Sequence, residues 1–201
     1  IVRQSGVRGV ISHHKAAGLT ENWGKVHTTL RLIDQANAEG LELYADVYPY
    51  AASSTTFSSP FIPAPLKAGG TEAILARLVD PEIVAECRRY FYSKYTDARW
   101  VMATRCPGCP DYEGLRVHEI AEKMGVDEFT AAIQLIRLTR NGASAVFFSM
   151  CEEDLERIVL DENAVIGTDE ETVTREAQAL GLDGSAKAQP DWLTKGYITI
   201  I

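Results

Sequence analysis

The chain has 201 residues, of which 46% are hydrophobic, and a formal net charge of −8 at pH 7. That length suits one ordinary domain or a large part of one, and the negative charge argues against nucleic acids and anionic membranes as partners, since both favour basic patches. No run approaches the ~18 apolar residues of a membrane span, and neither a signal peptide nor a secreted disulfide scaffold is indicated. The composition therefore predicts a soluble, cytoplasmic protein.

The first predicted unit is a strand, a loop, a helix and a second strand. Residues 7–11 form an apolar run that ends in two histidines, His13 and His14. A helix is predicted by apolar residues at helical spacing before Gly40, which suits its C-terminal cap. Residues 41–47 predict a strand roughly 34 residues after the first, close to the ~30 residues of a βαβ unit with parallel strands.

Residues 48–115 break this rhythm and predict an inserted α+β subdomain. The segment opens with a long irregular stretch rich in proline, serine and threonine, and loops of that length are usually functional. Two helices and a short strand follow, and then Cys106 and Cys109, with two residues between them. Since no second cysteine pair or histidine pair accompanies them, we interpret these thiols as loop residues rather than as a redox pair or half of a zinc site.

Residues 116–184 resume the alternation of helices and strands. Two helices precede a strand at 144–148, and another helix precedes a strand at 164–168 that ends at Asp169. Together with the first unit, this makes four strands alternating with helices, half of an eight-unit barrel whose full version needs ~250 residues. The predicted fold class is therefore α/β, a partial (β/α)8 barrel comprising residues 1–47 and 116–184, roughly strands five to eight. Residues 185–201 are predicted to be an atypical C-terminal tail.

Several short motifs, in order along residues 1 to about 184, resemble the N-acyl-D-amino-acid deacylases (D-aminoacylases) of the amidohydrolase superfamily. They are Ser12-His13-His14-Lys15, Asn22-Trp23-Gly24-Lys25, Asp46-Val47-Tyr48-Pro49-Tyr50-Ala51-Ala52-Ser53-Ser54-Thr55, Val146-Phe147-Phe148-Ser149-Met150 and Ile166-Gly167-Thr168-Asp169. The resemblance implies a metal-dependent amide hydrolase on a distorted (β/α)8 barrel with one or two zinc ions. It also implies N-acyl-D-amino acids as substrates and an insertion that helps to cover them.

The resemblance also implies a role for particular residues. Zinc lowers the pKa of a bound water toward ~7 and polarises the scissile carbonyl. His13 is the expected metal ligand, and Asp169 the expected general base, with a contact to a second metal if one is bound. Asp46 is the candidate for a replacement oxygen ligand, because residues 43–46 lack the histidine that the family places near its sixth strand.

Three further residues are candidates for substrate binding. Lys15 is expected to orient a substrate carboxylate or to stabilise charge nearby. Tyr48 and Tyr50 are expected either to face the substrate or to fix a turn by aromatic packing. His14 should point to the opposite side of its strand from His13 and be packed or hydrogen-bonded there. For Asp169, the competing interpretation is a helix N-cap.

Several family features are missing from the chain, which begins at Ile1 without an initiator methionine and which we therefore expect to be a fragment. The His-x-His pair and metal-binding cysteine of the family would lie upstream of Ile1, and the His-Pro-Arg stretch expected after Asp169 is replaced by other residues. We expect an incomplete zinc site, an inactive or weakly active isolated chain, and a homo-oligomer or a complementing chain that covers the exposed barrel edges. Two alternatives stay open: a dihydroorotase-like amidohydrolase, and a non-catalytic barrel fragment that self-associates.

Overall fold

The computed structural model describes residues 1–167 of the chain. Its helices and strands are α1 (Val2–Ser5), β1 (Gly9–Ile11), α2 (Val26–Ala38), β2 (Leu43–Val47), β3 (Ser53–Thr56), α3 (Gly70–Arg77), α4 (Pro81–Tyr92), β4 (Val101–Arg105), α5 (Val117–Met124), α6 (Glu128–Leu138), β5 (Ser144–Phe147), α7 (Glu152–Val159) and β6 (Ala164–Ile166). Short 3-10 turns lie at Ala64–Lys67 and Pro110–Tyr112. The α/β class predicted from the sequence is confirmed. No helix within residues 1–167 combines the length and apolarity that crossing a bilayer would require.

The described residues form two compact units, Ile1–Ser53 with 149–167, and Ser54–Phe148. In the first unit, β1, β2 and β6 make a parallel sheet in the order β1-β2-β6. The predicted βαβ unit is confirmed, because β1 and β2 are parallel neighbours joined by α2. Helices α2 and α7 pack on one face of this sheet through a core of Val26, Leu30, Ile33, Ala45, Val47, Leu155 and Ile158.

The turn between α2 and β2 is fixed by one side chain. Gly40 follows α2 with a φ of 85°, in the left-handed region that favours glycine. The side chain of Asn37 donates to the Leu43 carbonyl at 2.9 Å and accepts from the Leu43 N–H at 2.8 Å. It also donates to the Asn163 side chain at 2.9 Å, so the last turn of α2 is tied to β2 and to the segment before β6.

The other face of the parallel sheet carries exposed apolar side chains. Ala45 and Val47 are buried under α2, so their neighbours Tyr44 and Asp46 point to the opposite face. There Val10 is paired with Tyr44, and Val165 with Asp46. Val10 is 62% exposed, Tyr44 43% and Val165 59%. We call Val10, Tyr44 and Val165 the open sheet face.

The second unit contains a three-stranded sheet in the order β3-β5-β4, with an aromatic core beside it. Strands β4 and β5 are antiparallel and pair Val101 with Phe147. The fully buried phenylalanines of this unit are Phe57, Phe61, Phe91 and Phe129. Phe61 contacts the other three rings at centroid distances of 5.0 to 6.5 Å.

Strand β5 differs from the prediction in its partner. Residues 144–148 are predicted to be one of the parallel barrel strands, whereas β5 pairs antiparallel with β4. The Phe148 N–H also donates to the Trp100 carbonyl at 2.9 Å, extending the same pairing. An apolar run shows that a strand exists but does not specify its partner or direction, which tertiary contacts decide. Helices α5 and α6 lie in the same unit as β5, and the predicted boundaries of barrel and insertion stay predictions.

Candidate active site at the edge of the parallel sheet

Five of the six residues predicted from the sequence lie in the first unit, at the carboxyl ends of β1 and β2. His13 and Lys15 follow β1. Asp46 is the penultimate residue of β2, and Tyr48 and Tyr50 follow that strand. Because β1 and β2 are parallel, their carboxyl ends meet at one edge of the sheet. In open α/β sheets this edge is where ligands generally bind.

Asp46 organises the backbone that leaves β1. Its Oδ2 accepts the Ser12 hydroxyl at 2.8 Å, and its Oδ1 accepts the His13 N–H at 2.7 Å. The Asp46 carbonyl accepts the His14 N–H at 2.7 Å. His13 has a φ of 55°, which is uncommon for a residue with a side chain. The carboxylate of Asp46 therefore stabilises the backbone conformation from which the His13 ring projects.

Lys15, His13 and the two tyrosines form a contiguous group. The His13 and Tyr48 rings meet edge to face with centroids 5.6 Å apart, and the Tyr48 and Tyr50 rings stack at 6.3 Å. The Lys15 Nζ lies 4.8 Å from the centre of the Tyr48 ring and donates to the His13 carbonyl at 3.1 Å. This places an ammonium group against an aromatic face, a cation–π contact that also orients the cation.

Tyr48 is the buried residue of this group, and its hydroxyl donates to the Met150 Sδ at 3.9 Å. Tyr48 thus packs against Met150 and contacts both Lys15 and His13, while a substrate-facing role for it stays a prediction.

His14 points away from the group, as predicted. Its ring is buried, and its Nε2 lies 2.9 Å from the Thr29 hydroxyl of α2. Burial lowers the pKa of His14 below its usual 6.5; the carboxylate of Asp161 opposes this effect and Lys15 reinforces it. The expectation of a packed, hydrogen-bonded histidine is confirmed.

Asp169 lies outside the described residues, but β6, which precedes it, is placed beside β2. Val47 is paired with Ile166, and the Gly167 N–H donates to the Val47 carbonyl at 3.0 Å. The carboxyl end of β6 therefore lies at the same edge as Asp46 and Tyr48.

The described part of the chain does not supply a complete metal site. Among residues 1–167, no group of three or more histidine, cysteine, aspartate or glutamate side chains is arranged to hold an ion. A tight zinc site normally takes three or four protein ligands. His13 and Asp46, the predicted ligands within this range, are too few by themselves.

Asp154 is not among the residues that the sequence motifs predict, yet it contacts the loop that carries His13 and Lys15. Both its carboxylate oxygens accept the Gly24 N–H, at 3.0 and 2.9 Å. A signal was present, because Asp154 lies four residues before Ile158 and thus on the buried face of α7. A carboxylate on the apolar face of a short helix indicates a specific buried acceptor.

Comparison with known proteins gives relatives of one kind. N-acyl-D-glutamate deacylase of Alcaligenes xylosoxydans xylosoxydans is 32% identical over 167 residues, 83% of this chain and 26% of that protein. D-aminoacylase of the same organism is 28% identical over 169 residues, 84% of this chain and 27% of that protein. No family model matches the chain.

A solved structure agrees with these relatives. N-acyl-D-glutamate deacylase from Bordetella bronchiseptica, complexed with zinc and a phosphonate inhibitor that mimics the tetrahedral intermediate, matches with a TM-score of 0.57 and 28% identity. The match covers 84% of this chain and 27% of that structure. The chain thus spans about a quarter of the length of the relatives it matches. These matches confirm the resemblance that the motifs predict, and the chain is a relative of the N-acyl-D-amino-acid deacylases within the amidohydrolase superfamily.

Proposed function

We propose that this chain contributes part of the active site of a metal-dependent hydrolase that cleaves the amide bond of N-acyl-D-amino acids. The observation that carries the proposal is the convergence of His13, Lys15, Asp46, Tyr48 and Tyr50 at the carboxyl edge of two parallel strands. The relatives named above act on such substrates according to their names. The proposed framework is a partial (β/α)8 barrel, of which the β1-β2-β6 sheet would be one part.

Lys15 is the proposed contact for the substrate carboxylate. Its ammonium group already lies over the Tyr48 ring, so its position is constrained before any ligand arrives. An ammonium held in this way attracts a carboxylate while losing little side-chain freedom on binding. Tyr48 and Tyr50 would line the same side of the site and limit the room for the substrate side chain.

Asp169 is the proposed general base. In this role its carboxylate takes a proton from the attacking water and returns it to the leaving amine. Support comes from β6, whose last residue pairs with Val47 next to Tyr48, so that the chain leaves β6 toward this edge.

Zinc is the metal that the relatives suggest, since one solved relative is complexed with it. His13 and Asp46 do not fit a zinc ion alone, and both oxygens of Asp46 already accept hydrogen bonds. We infer that turnover needs ligands from outside residues 1–167, supplied by Asp169 together with a complementing chain or another copy. The isolated chain is expected to be inactive or weakly active.

The test is binding of N-acetyl-D-glutamate and its L-enantiomer to the isotopically labelled chain, followed by NMR. We expect the D-form to shift resonances of residues 12–15 and 46–50, and Lys15→Met to weaken this binding at least roughly tenfold, the usual loss when a charged hydrogen bond is removed. Lys123→Met, the same change at an exposed lysine of the second unit, is the control. Shifts elsewhere, or equal binding of the L-form, would contradict the proposal.

A zinc titration by calorimetry, with a hydrolysis assay on the same sample, tests the state of the isolated chain. Weak zinc binding without turnover is the expected result. Tight binding with turnover by the pure chain would show that the site is complete and that no further ligands are needed.

A second candidate function is a non-catalytic module that self-associates. It is favoured by the open sheet face, because purely parallel sheets normally have both faces covered. A stable dimer that binds neither zinc nor N-acyl-D-amino acids would support this candidate over hydrolysis.

A further inference from the structure

The loop between β1 and α2, residues 12–25, carries His13 and Lys15 near its start. We call it the β1–α2 loop. At its start, the loop is fixed by Asp46, which accepts the Ser12 hydroxyl and the His13 N–H. Its far end is fixed by a different part of the chain, residues 149–154, which include the first turn of α7.

Two hydrogen bonds join the middle of the β1–α2 loop to the Ser149 carbonyl. The Gly18 N–H donates to it at 3.2 Å, and the Trp23 Nε1–H donates at 3.4 Å. Within the loop, the Asn22 side chain donates to the Ala17 carbonyl at 2.7 Å. The β1–α2 loop is therefore hydrogen-bonded both within itself and to Ser149.

The end of the loop is bonded to Asp154. The Gly24 N–H donates to both carboxylate oxygens of this buried residue. Gly24 has a φ of 85°, in the left-handed region, so the direction of its N–H depends on a conformation that favours glycine. Hydrogen bonds to an ionised acceptor are roughly twice as strong as neutral ones.

Asp154 is itself fixed to the core. It lies in the first turn of α7, where the helix dipole favours a negative charge. Leu155 and Ile158 of the same helix pack with Val26, the first residue of α2. The packing of α7 against α2 therefore holds the Asp154 carboxylate in place as the acceptor for the Gly24 N–H. A buried charge is tolerated only where hydrogen bonds such as these satisfy it.

We propose that Asp154 is a positioning residue for the site, one that fixes the end of the β1–α2 loop and thereby holds His13 and Lys15 at the sheet edge. The importance of these two residues rests on the proposed function, whereas the effect of Asp154 on the loop is measured without any substrate. Asp154 acts through the backbone of Gly24 and not by contact with a ligand.

The competing role for Asp154 is stabilisation of α7 alone, through the helix dipole. Glu153 separates the two roles, because it is exposed and lies one residue earlier in the same first turn. Glu153→Gln removes a charge from the same helix end without touching Gly24. Asp154→Asn removes the charge while keeping the size of the side chain.

The experiment is amide hydrogen exchange, followed by NMR on the 201-residue chain and its variants. In Asp154→Asn we expect the Gly24 amide to exchange at least roughly tenfold faster, with smaller increases over residues 17–23, because a charged hydrogen bond to a locally opening segment is lost. The amides of β2 should keep their protection. The His13 ring proton shifts should move in Asp154→Asn and stay unchanged in Glu153→Gln.

Three results would overturn the proposal. They are an unchanged Gly24 exchange rate in Asp154→Asn, an equal change in Glu153→Gln, and faster exchange over β2 and α2 to the same extent as over the loop. If Asp154→Asn does not fold, Gly24→Ala decides, since it disturbs the left-handed conformation that directs the Gly24 N–H to Asp154 and leaves α7 unaltered. We expect that variant to raise exchange over residues 18–24 and to move the His13 ring shifts, and no change in either would overturn the proposal. Failure of N-acetyl-D-glutamate to bind would contradict the proposed function and leave these exchange rates unaffected.

Discussion

His13 and His14 are adjacent in sequence but lie in different environments. The His13 ring contacts Tyr48 at the sheet edge, while the His14 ring is buried beside Thr29. The separation follows from the turn after β1, where His13 adopts a left-handed backbone conformation with a φ of 55°. One residue of the pair thus lies against Tyr48 at the sheet edge, and the other is hydrogen-bonded to α2 through Thr29.

The buried position of His14 predicts a pH-dependent stability. Burial lowers its pKa in the folded chain, so below about pH 6.5 the unfolded chain takes up a proton that the folded chain does not. The free energy of unfolding should therefore fall as the pH decreases from 7 through 6.5, by at most about 1.4 kcal/mol per pH unit for this one group. Urea unfolding at several pH values measures it.

The control for His14 is a second histidine that lies exposed on α2. His14→Gln should remove part of the pH dependence between 7 and 5.5, whereas His27→Gln should leave it unchanged. Identical pH profiles for the wild type and His14→Gln would contradict the prediction.

Some of the site was predictable from single residues and some was not. His13, Lys15 and Tyr48 were predicted because they follow strands in motifs that resemble a known family, and the structure brings them together. The hydrogen bonds of Asp46 to Ser12 and His13 were not predicted, because they depend on the register of β1 against β2. That these residues bind a metal or a substrate stays a prediction.

At the scale of elements, helix α2 shows how local pattern determines packing. Its apolar residues Val26, Leu30 and Ile33 recur at helical spacing and are buried against β2 and α7. Periodicity of this kind is local, so the sequence alone predicts both the helix and its buried face. The pairing of β5 with β4 depends on contacts that are distant in sequence, and it was not predicted.

A matched pair of leucines on α2 tests this account. Leu30 is 5% exposed and Leu32 is 57% exposed. Leu30→Ala should lower the free energy of unfolding by about 2–5 kcal/mol, because it leaves a cavity in the core. Leu32→Ala makes the same chemical change at the surface and should alter it by less than about 0.5 kcal/mol. Denaturant unfolding of both variants decides, and losses of similar size would show that α2 does not pack as described.

At the scale of the whole molecule, each of the two units has its own core. The first unit packs aliphatic side chains between a parallel sheet and two helices, while the second contains the aromatic cluster around Phe61. In the first unit α2 and α7 cover one face, and Val10, Tyr44 and Val165 remain exposed on the other.

The open sheet face predicts self-association of the isolated chain. Parallel sheets are normally covered on both faces, so burying these side chains against a second copy removes apolar surface from water, at roughly 25 cal/mol per Å². We therefore expect the apparent mass in sedimentation equilibrium to rise with concentration. Val10→Lys places a charge on this face, on the outer strand β1 beside Tyr44 of β2, and should shift the association constant at least roughly tenfold toward the monomer, as expected when a charge must be buried.

The control for this prediction is Leu138→Lys, the same kind of change at an exposed leucine at the end of α6 in the second unit. It should leave the association constant unchanged, because it lies far from β1 along the chain and belongs to a different unit. A chain that stays monomeric at all concentrations, or equal weakening by both variants, would contradict association through the sheet face. In the proposed barrel the same face would be the interior, so adding a complementing chain should compete with self-association and reduce the apparent mass of the homo-oligomer.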